Sequence, residues 1–320
     1  MIDAGVAGAR PVVLIMGPTG AGKTDLAIRL AERWPIDIVS VDSAMVYRGM
    51  DIGTGKPPQE VLQRFPHRLV DILDPSQSYS AGQFVRDARA AIDEAHRHGR
   101  LPVLVGGTML YFRALRRGLA EMPSADPHTR SLIDEEAAQK GWPGMHVELL
   151  RVDPQAAARI QPNDAQRIQR ALEVYRLTGK TLSELHAAAL PPVKDLRFVA
   201  YGWVPSVRER LYAAIEARFH RMMEEGLLQE VRRLQCRDDL HADLPAIRSV
   251  GYRQLWEHLE GADSLESAVQ RAIFATRRLA RRQLIWLRSE REVHCVDALE
   301  SSANAQMVRA IASVLPLAPY

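Results

Sequence analysis

Gly17-Pro18-Thr19-Gly20-Ala21-Gly22-Lys23-Thr24 reads G-x-x-x-x-G-K-[ST]. At this spacing glycines let the backbone curl until several N–H groups converge on one anion. A helix starting near Lys23 adds the positive end of its dipole. The Lys23 ammonium neutralises terminal phosphate charge, and the Thr24 hydroxyl is placed to ligate a magnesium ion held by the same phosphates. An apolar run, Val12–Met16, precedes the loop and a helical pattern, Lys23–Arg33, follows it, so a chance glycine turn is a poor account. The motif specifies a diphosphate or triphosphate. It leaves open whether that group is transferred or departs.

Two further strand ends carry chemistry. Ile36–Val41 runs into Asp42-Ser43. A carboxylate at the carboxyl end of a parallel strand faces the ligand crevice, where it can bind a metal or act as general base. Asp-Ser is equally good capping chemistry, and position alone does not separate these readings. Leu101–Val105 ends in Gly106-Gly107-Thr108, which allows close backbone approach to a ligand or makes a plain strand-to-helix turn.

Residues 271–291 set seven arginines, Arg271, Arg277, Arg278, Arg281, Arg282, Arg288 and Arg291, against one acid, Glu290. At helical spacing Ile273, Ala280, Leu284 and Leu287 share a face that packs on a core. A one-sign arginine face repels itself unless an anion lies on it, and arginine favours forked phosphate contacts. Such a face is the footprint of a nucleic-acid backbone; the alternative is a solvated basic helix. Trp286 stacks on a base or is simply buried. Two more basic patches, Gln166–Arg170 and Arg248–Arg253, strengthen the case for a long polyanion.

The elements that must position these residues alternate early. Strand-like runs at Val12–Met16, Ile36–Val41, Leu69–Ile72 and Leu101–Val105 are separated by helical patterns that include Ser80–His98, and Thr108–Arg116 follows the last. Alternation implies a parallel sheet covered on both faces. It stops near Gly118; from Pro123 to about Leu190 the pattern is all helical, until Pro191-Pro192 breaks the chain. A strand follows at Leu196–Val204, then mostly helix, then a short strand at Val293–Val296. The chain thus reads as a helical insertion between two parts of one α/β core.

Composition agrees with a globular protein of about two domains: 320 residues, 47% hydrophobic, 25% charged, net charge +3. No apolar run approaches the ~18 residues of a membrane span. The apolar start lacks a basic leader and reads as a first strand, which points to the cytoplasm. Cys236 and Cys295 have no ligand-like spacing and read as ordinary reduced thiols.

With these pieces in order, the sequence resembles the bacterial tRNA dimethylallyltransferases, also called tRNA isopentenyltransferases, from Leu14 to about Arg291. The resemblance rests on GPTGAGKT at 17–24, VSVDSAMVYRGMDIGTGKP at 39–57, PHRLVDILDPSQSYSAGQF at 66–84 and LVGGTMLYFRAL at 104–115. It continues through NDAQRIQRALEV at 163–174, ARFHRM at 217–222, IRSVGYRQLW at 247–256 and RRLARRQLIWLR at 277–288. Gly20 and Gly55 stand where relatives often have alanine.

The resemblance implies an α/β fold, a P-loop NTPase-like parallel sheet core (1–117 and 196–320) with an inserted all-helical domain (118–195) that clamps tRNA. It implies transfer of a dimethylallyl group from dimethylallyl diphosphate to the exocyclic amine of adenosine at tRNA position 37, releasing pyrophosphate. Gly17, Pro18, Thr19, Gly20, Ala21, Gly22, Lys23 and Thr24 would hold the diphosphate, with Mg2+ at Thr24. Asp42 would take the amine proton, Thr19 would lie near the reacting carbon, and Arg218 would stabilise the leaving charge. The tRNA anticodon stem-loop would meet Asp42, Ser43, Ala44 and Met45, then Thr108 and Arg130, then Gln166, Arg167, Ile168, Gln169 and Arg170. It would also meet Arg248, Ser249, Val250, Gly251, Tyr252 and Arg253, and the helix residues Arg281, Arg282, Gln283, Leu284, Ile285, Trp286, Leu287 and Arg288. A monomer is implied. The rival readings are a phosphate-loop small-molecule kinase, which leaves the arginine helix without a purpose, and a prenyltransferase acting on free adenine nucleotides, which needs no long basic surface. A non-catalytic RNA-binding switch is a third, and it would not need Asp42.

Overall fold

The computed structural model describes residues 8–118, 120, 122–123, 125–188, 195–290 and 292–315. Pro191-Pro192, Arg291 and the first seven residues of the apolar start lie outside them. In chain order the elements are β1 (Arg10–Met16), α1 (Lys23–Ala31), β2 (Ile36–Val41), α2 (Gln59–Arg64), β3 (His67–Arg68), α3 (Ala81–Arg97), β4 (Leu101–Gly106) and α4 (Met109–Arg117). Next come α5 (Pro127–Val152), α6 (Pro154–Ala157), α7 (Ala165–Thr178) and α8 (Leu182–Ala187). The chain then forms β5 (Leu196–Val204), α9 (Arg208–Glu224), α10 (Leu227–Gln235), α11 (Tyr252–Leu259), α12 (Leu265–Ser289), β6 (Val293–Asp297) and α13 (Ala303–Ala312).

The six strands form one parallel sheet in the order β3-β2-β4-β1-β5-β6. Parallel strands buried on both faces are continuous apolar runs, and β1 sorts its side chains by alternation. Val12, Leu14 and Met16 pack with Phe84, Ile92 and Phe112 of α3 and α4, whereas Val13 and Ile15 pack with Leu26 of α1 and Met307 of α13. Register then sets the site. Met16 and Val41 both lie opposite Gly106, and Met16 also lies opposite Gly202. The loops after β1, β2 and β4 therefore leave the sheet at one level, on its carboxyl edge, where open α/β sheets bind ligands.

The run Leu69–Ile72, expected as a strand, is not one. Leu69 and Asp71 have φ of 63° and 57°, a left-handed conformation that ends any ladder. The edge strand is the two residues before it. A terminal helix, α13, follows the last strand, where the expected reading stopped at the strand.

Two compact units divide the chain, 1–116 with 193–320 and 117–192. The second is helical, with a core of Ile133, Met145, Leu149, Ile168 and Leu172. Its longest helix, α5, breaks at Gly141, where φ is 70° and Pro143 follows. No helix among the described residues is long and apolar enough to cross a membrane.

Candidate active site

The phosphate loop joins the end of β1 to the start of α1. That helix begins directly after Gly22 (φ 76°) with no side-chain cap, so its first N–H groups are left without partners. The Thr19 N–H donates to Gln283 Oε1 at 2.9 Å. From Gly20 to Thr24 no backbone N–H has a partner among the described residues. These five donors form a nest of the kind that binds anions. The loop is held from behind by Trp203, whose Nε1–H donates to Ala21 O at 2.8 Å.

Lys23 curls back so that its Nζ donates to Pro18 O at 2.7 Å. Burial lowers its pKa to about 8, opposed by Asp42 and reinforced by the nearby Arg218 cation. Arg218 is lowered for the same reason, desolvation, and the Asp42 carboxylate again opposes the shift. Both cations therefore feel Asp42, the residue that β2 delivers to this edge. Asp42 Oδ1 accepts from the N–H groups of Ala44 (2.8 Å) and Met45 (3.3 Å). The capping role is thus real, and one oxygen fills it. The other, Oδ2, has no hydrogen bond among the described residues. Ser43 N–H donates to Thr108 Oγ1 at 3.1 Å, which joins the ends of β2 and β4.

Two cavities meet here. One, of about 440 Å³, is lined by Gly22, Lys23, Thr24, Lys56, His67 and Arg221 among others. The other, of about 530 Å³, is lined by Ser43, Ala44, Thr108, Arg248, Ser249, Val250, Arg282 and Trp286, with apolar walls from Leu110, Ile215, Phe219 and Leu279. Thr19, Gly20, Asp42, Thr54, Gly107, Arg218 and Gln283 line both. Asp42 therefore stands between the anion nest and a largely apolar cavity that also carries Arg218, Arg248 and Arg282, a lining that suits a flat ring and a short hydrocarbon.

The fold distributes the remaining expected residues unevenly. Arg218 lies over the turn at Gly55, where an added Cβ would fall 1.8 Å from its Nη2; glycine there makes room for the guanidinium. Tyr252 is buried and donates to Glu230 Oε1 at 2.5 Å. Glu230, which sequence reasoning missed, also accepts from the N–H groups of Asp51, Ile52 and Gly53 and so holds the segment leading to Thr54. A buried Glu on an otherwise apolar stripe of α10 is the signal that could have found it.

On α12, Leu287 and Gln283 are buried, Leu284 and Trp286 are partly buried, and Arg281, Arg282, Ile285 and Arg288 are exposed. Of those four, only Arg282 lines the cavity. The premise that the whole arginine face lacks acids needs correcting: Arg271 pairs with Glu257 and Asp263, and Arg277 with Glu216. Arg253 pairs with Glu257 and lies outside both cavities.

In the helical unit Glu173 is fully buried, and it accepts from Arg130 and Arg170. Gln169 donates to Asp134. Ile168 is core, and Gln166 and Arg167 are exposed. Those arginines thus serve the unit's own packing, whatever else they touch. Among the described residues no group of three His, Cys, Asp or Glu side chains could hold a metal ion; the Thr24 hydroxyl lines the cavity at the nest. Cys236 and Cys295 are free and exposed.

The sheet order, the strand–loop–helix nest and the acid on the neighbouring strand define a phosphate-loop α/β protein. Comparison narrows the class. The sequence profile of the IPP transferase family matches residues 45–290, and that of isopentenyl transferase matches 10–72. A tRNA dimethylallyltransferase of Burkholderia thailandensis is 52% identical over 98% of both chains, and one of Alkalilimnicola ehrlichii is 55% identical over 89% of this chain and 90% of that one. The crystal structure of the full-length tRNA isopentenylpyrophosphate transferase from Bacillus halodurans superposes with a TM-score of 0.69 at 36% identity, over 96% of each chain. A eukaryotic dimethylallyltransferase captured acting on tRNA gives 0.77 at 26% identity, over 97% of this chain and 81% of that one. The chain belongs to the IPP transferase family.

Proposed function

We propose that this protein transfers a dimethylallyl group from dimethylallyl diphosphate to the exocyclic amine of an adenosine in tRNA, at position 37. The observation that carries the reading is the position of Asp42 on the wall shared by the two cavities. The diphosphate lies in the nest of five free N–H groups with Lys23, and its allylic carbon points towards Thr19 and Asp42. The base enters the other cavity, flanked by Trp286, Arg282 and Arg248. A base inside a folded anticodon loop must be extruded to reach that depth.

The amine nitrogen attacks the allylic carbon with its lone pair. The carbon–oxygen bond breaks, and its electrons leave with pyrophosphate. The proton of the amine passes to Asp42 Oδ2, the oxygen not engaged by Ala44 and Met45. Charge grows on the leaving oxygens, where Lys23, Arg218 and the backbone donors would stabilise it. The hard oxygen of Thr24 would hold Mg2+ beside the diphosphate, and the bound ion would supply charge neutralisation for the leaving group. RNA contacts fall to Ser43, Ala44, Thr108, Arg248 to Val250, Arg281, Arg282 and Arg288, and in the helical unit to Gln166 and Arg167.

The test is transfer of labelled dimethylallyl from its diphosphate to unmodified tRNA, followed by digestion to the labelled nucleoside. Label in a prenylated adenosine supports the reading. Transfer to AMP in preference to tRNA, or phosphoryl transfer from ATP without prenylation, would overturn it.

A further inference from the structure

Gln283 belongs to the basic helix, yet its side chain points away from the arginine surface. It is buried, and both ends of its amide are engaged. Oε1 accepts from the Thr19 N–H at 2.9 Å, and Nε2 donates to Gly107 O at 2.8 Å. Gly107 is shaped for this contact: an added Cβ would lie 2.4 Å from Gln283 Nε2. A single side chain on α12 thus ties the loop after β1 to the loop after β4. The next side chain back, Arg282, and the one three on, Trp286, line the base-side cavity.

The consequence is chemical. Six N–H groups, Thr19 to Thr24, curl around the loop. Gln283 engages the first, and the other five stay free for an anion. A leucine of similar size would release the Thr19 N–H and let that residue rotate. We infer that Gln283 is a positioning residue for transfer: it holds Thr19 on the wall between the two cavities and decides which backbone donors face the diphosphate, acting through the loop and not by binding tRNA. The inference rests on the reading of the nest as the diphosphate site.

The experiment compares wild type with Gln283→Leu and Gln283→Glu, and with Gly107→Ala, which displaces the amide without replacing it. Gln283→Glu keeps the acceptor for Thr19 N–H and sets a carboxylate oxygen against the Gly107 carbonyl. For each protein, affinity for inorganic pyrophosphate, affinity for unmodified tRNA, and kcat and KM for the allylic diphosphate are measured. Gln283→Leu and Gly107→Ala are expected to weaken pyrophosphate binding about tenfold, the scale of one lost hydrogen bond near a charged ligand. They should lower kcat further, with tRNA affinity within twofold of wild type. Gln283→Glu should lie between wild type and Gln283→Leu in pyrophosphate affinity. Weaker tRNA binding with unchanged pyrophosphate affinity would show that Gln283 serves RNA and overturn the inference, as would unchanged kcat and KM in Gln283→Leu. If wild type itself fails to bind pyrophosphate or to transfer the label, the diphosphate reading fails first, separately from the role of Gln283.

Discussion

Burial brings Lys23 to a pKa of about 8, so a modest rise in pH removes the cation that the proposed diphosphate site relies on. Pyrophosphate affinity should fall as pH rises from 8 to 10, more steeply than in Lys23→Met, and calorimetry at pH 9 should show proton uptake on binding that this variant lacks. The same shift has a stability sign. Between about 8 and the ordinary lysine value the unfolded chain binds more protons than the folded one, so the Lys23 contribution to stability improves with pH. Lys23→Met should therefore melt higher than wild type at pH 7, and the gap should close towards pH 10; a gap independent of pH would contradict the shift. Asp42 gives Oδ1 to a turn, and the proposed reaction uses the other oxygen. Asp42→Asn keeps Oδ1 for Ala44 and Met45 and should lower single-turnover transfer by roughly 10² to 10⁴, the range for losing a general base. Binding of tRNA, read by filter retention, should stay within twofold. Retained transfer would remove Asp42 from the chemistry.

Along α12 the sequence shows one basic surface, and the fold divides it into three. Arg271 and Arg277 are paired with acids, Arg282 enters the cavity, and Arg281 and Arg288 are exposed without partners among the described residues. Arg281→Ala should reduce the slope of log affinity for tRNA against log salt by about one, the value for one released counterion contact. Arg271→Ala should leave that slope unchanged. Equal slopes for both variants would refute the division. At the segment 51–53, Glu230 accepts from three N–H groups and a tyrosine hydroxyl. Glu230→Ala leaves those donors buried and unpaired, and should cost ~3 kcal/mol or more, seen as a lower Tm together with a raised KM for the allylic diphosphate. These losses should appear together, since the same segment carries Thr54 and Gly55 beneath Arg218.

At the scale of the molecule, the helical unit has its own apolar core and a buried carboxylate, Glu173, that joins Asp126, Arg130 and Arg170. Residues 117–192 alone should therefore fold as a helical domain with a cooperative melt by circular dichroism. Glu173→Ala should weaken that melt, because it removes the buried acceptor shared by Arg130, Arg170 and the Asp126 N–H. A non-cooperative melt of the isolated wild-type unit would show that its core depends on the rest of the chain.

Much of this was readable before folding. The phosphate loop, the strands leading to Asp42 and Gly107, and the end of the alternating pattern are local signals, since branched apolar runs and glycine turns act over a few residues. β2 and β5 fall at their expected bounds for that reason. The misread run Leu69–Ile72 has strand-like side chains but two left-handed residues, a choice made by packing of the loop and not by composition.

What the sequence determined by itself is the chemistry on offer: an anion loop, an acid at a strand end and a surplus of arginine, because these depend on residue type and near-neighbour spacing. Only the tertiary structure decided which groups meet. Register across three strands levels Gly17, Asp42 and Gly107, and α12 brings Gln283, 264 residues downstream, against Thr19. Pairing of arginines with distant acids decides which cations remain for RNA. Such contacts join positions far apart in the chain, and their partners are fixed by burial and hydrogen-bond satisfaction, which no local pattern encodes.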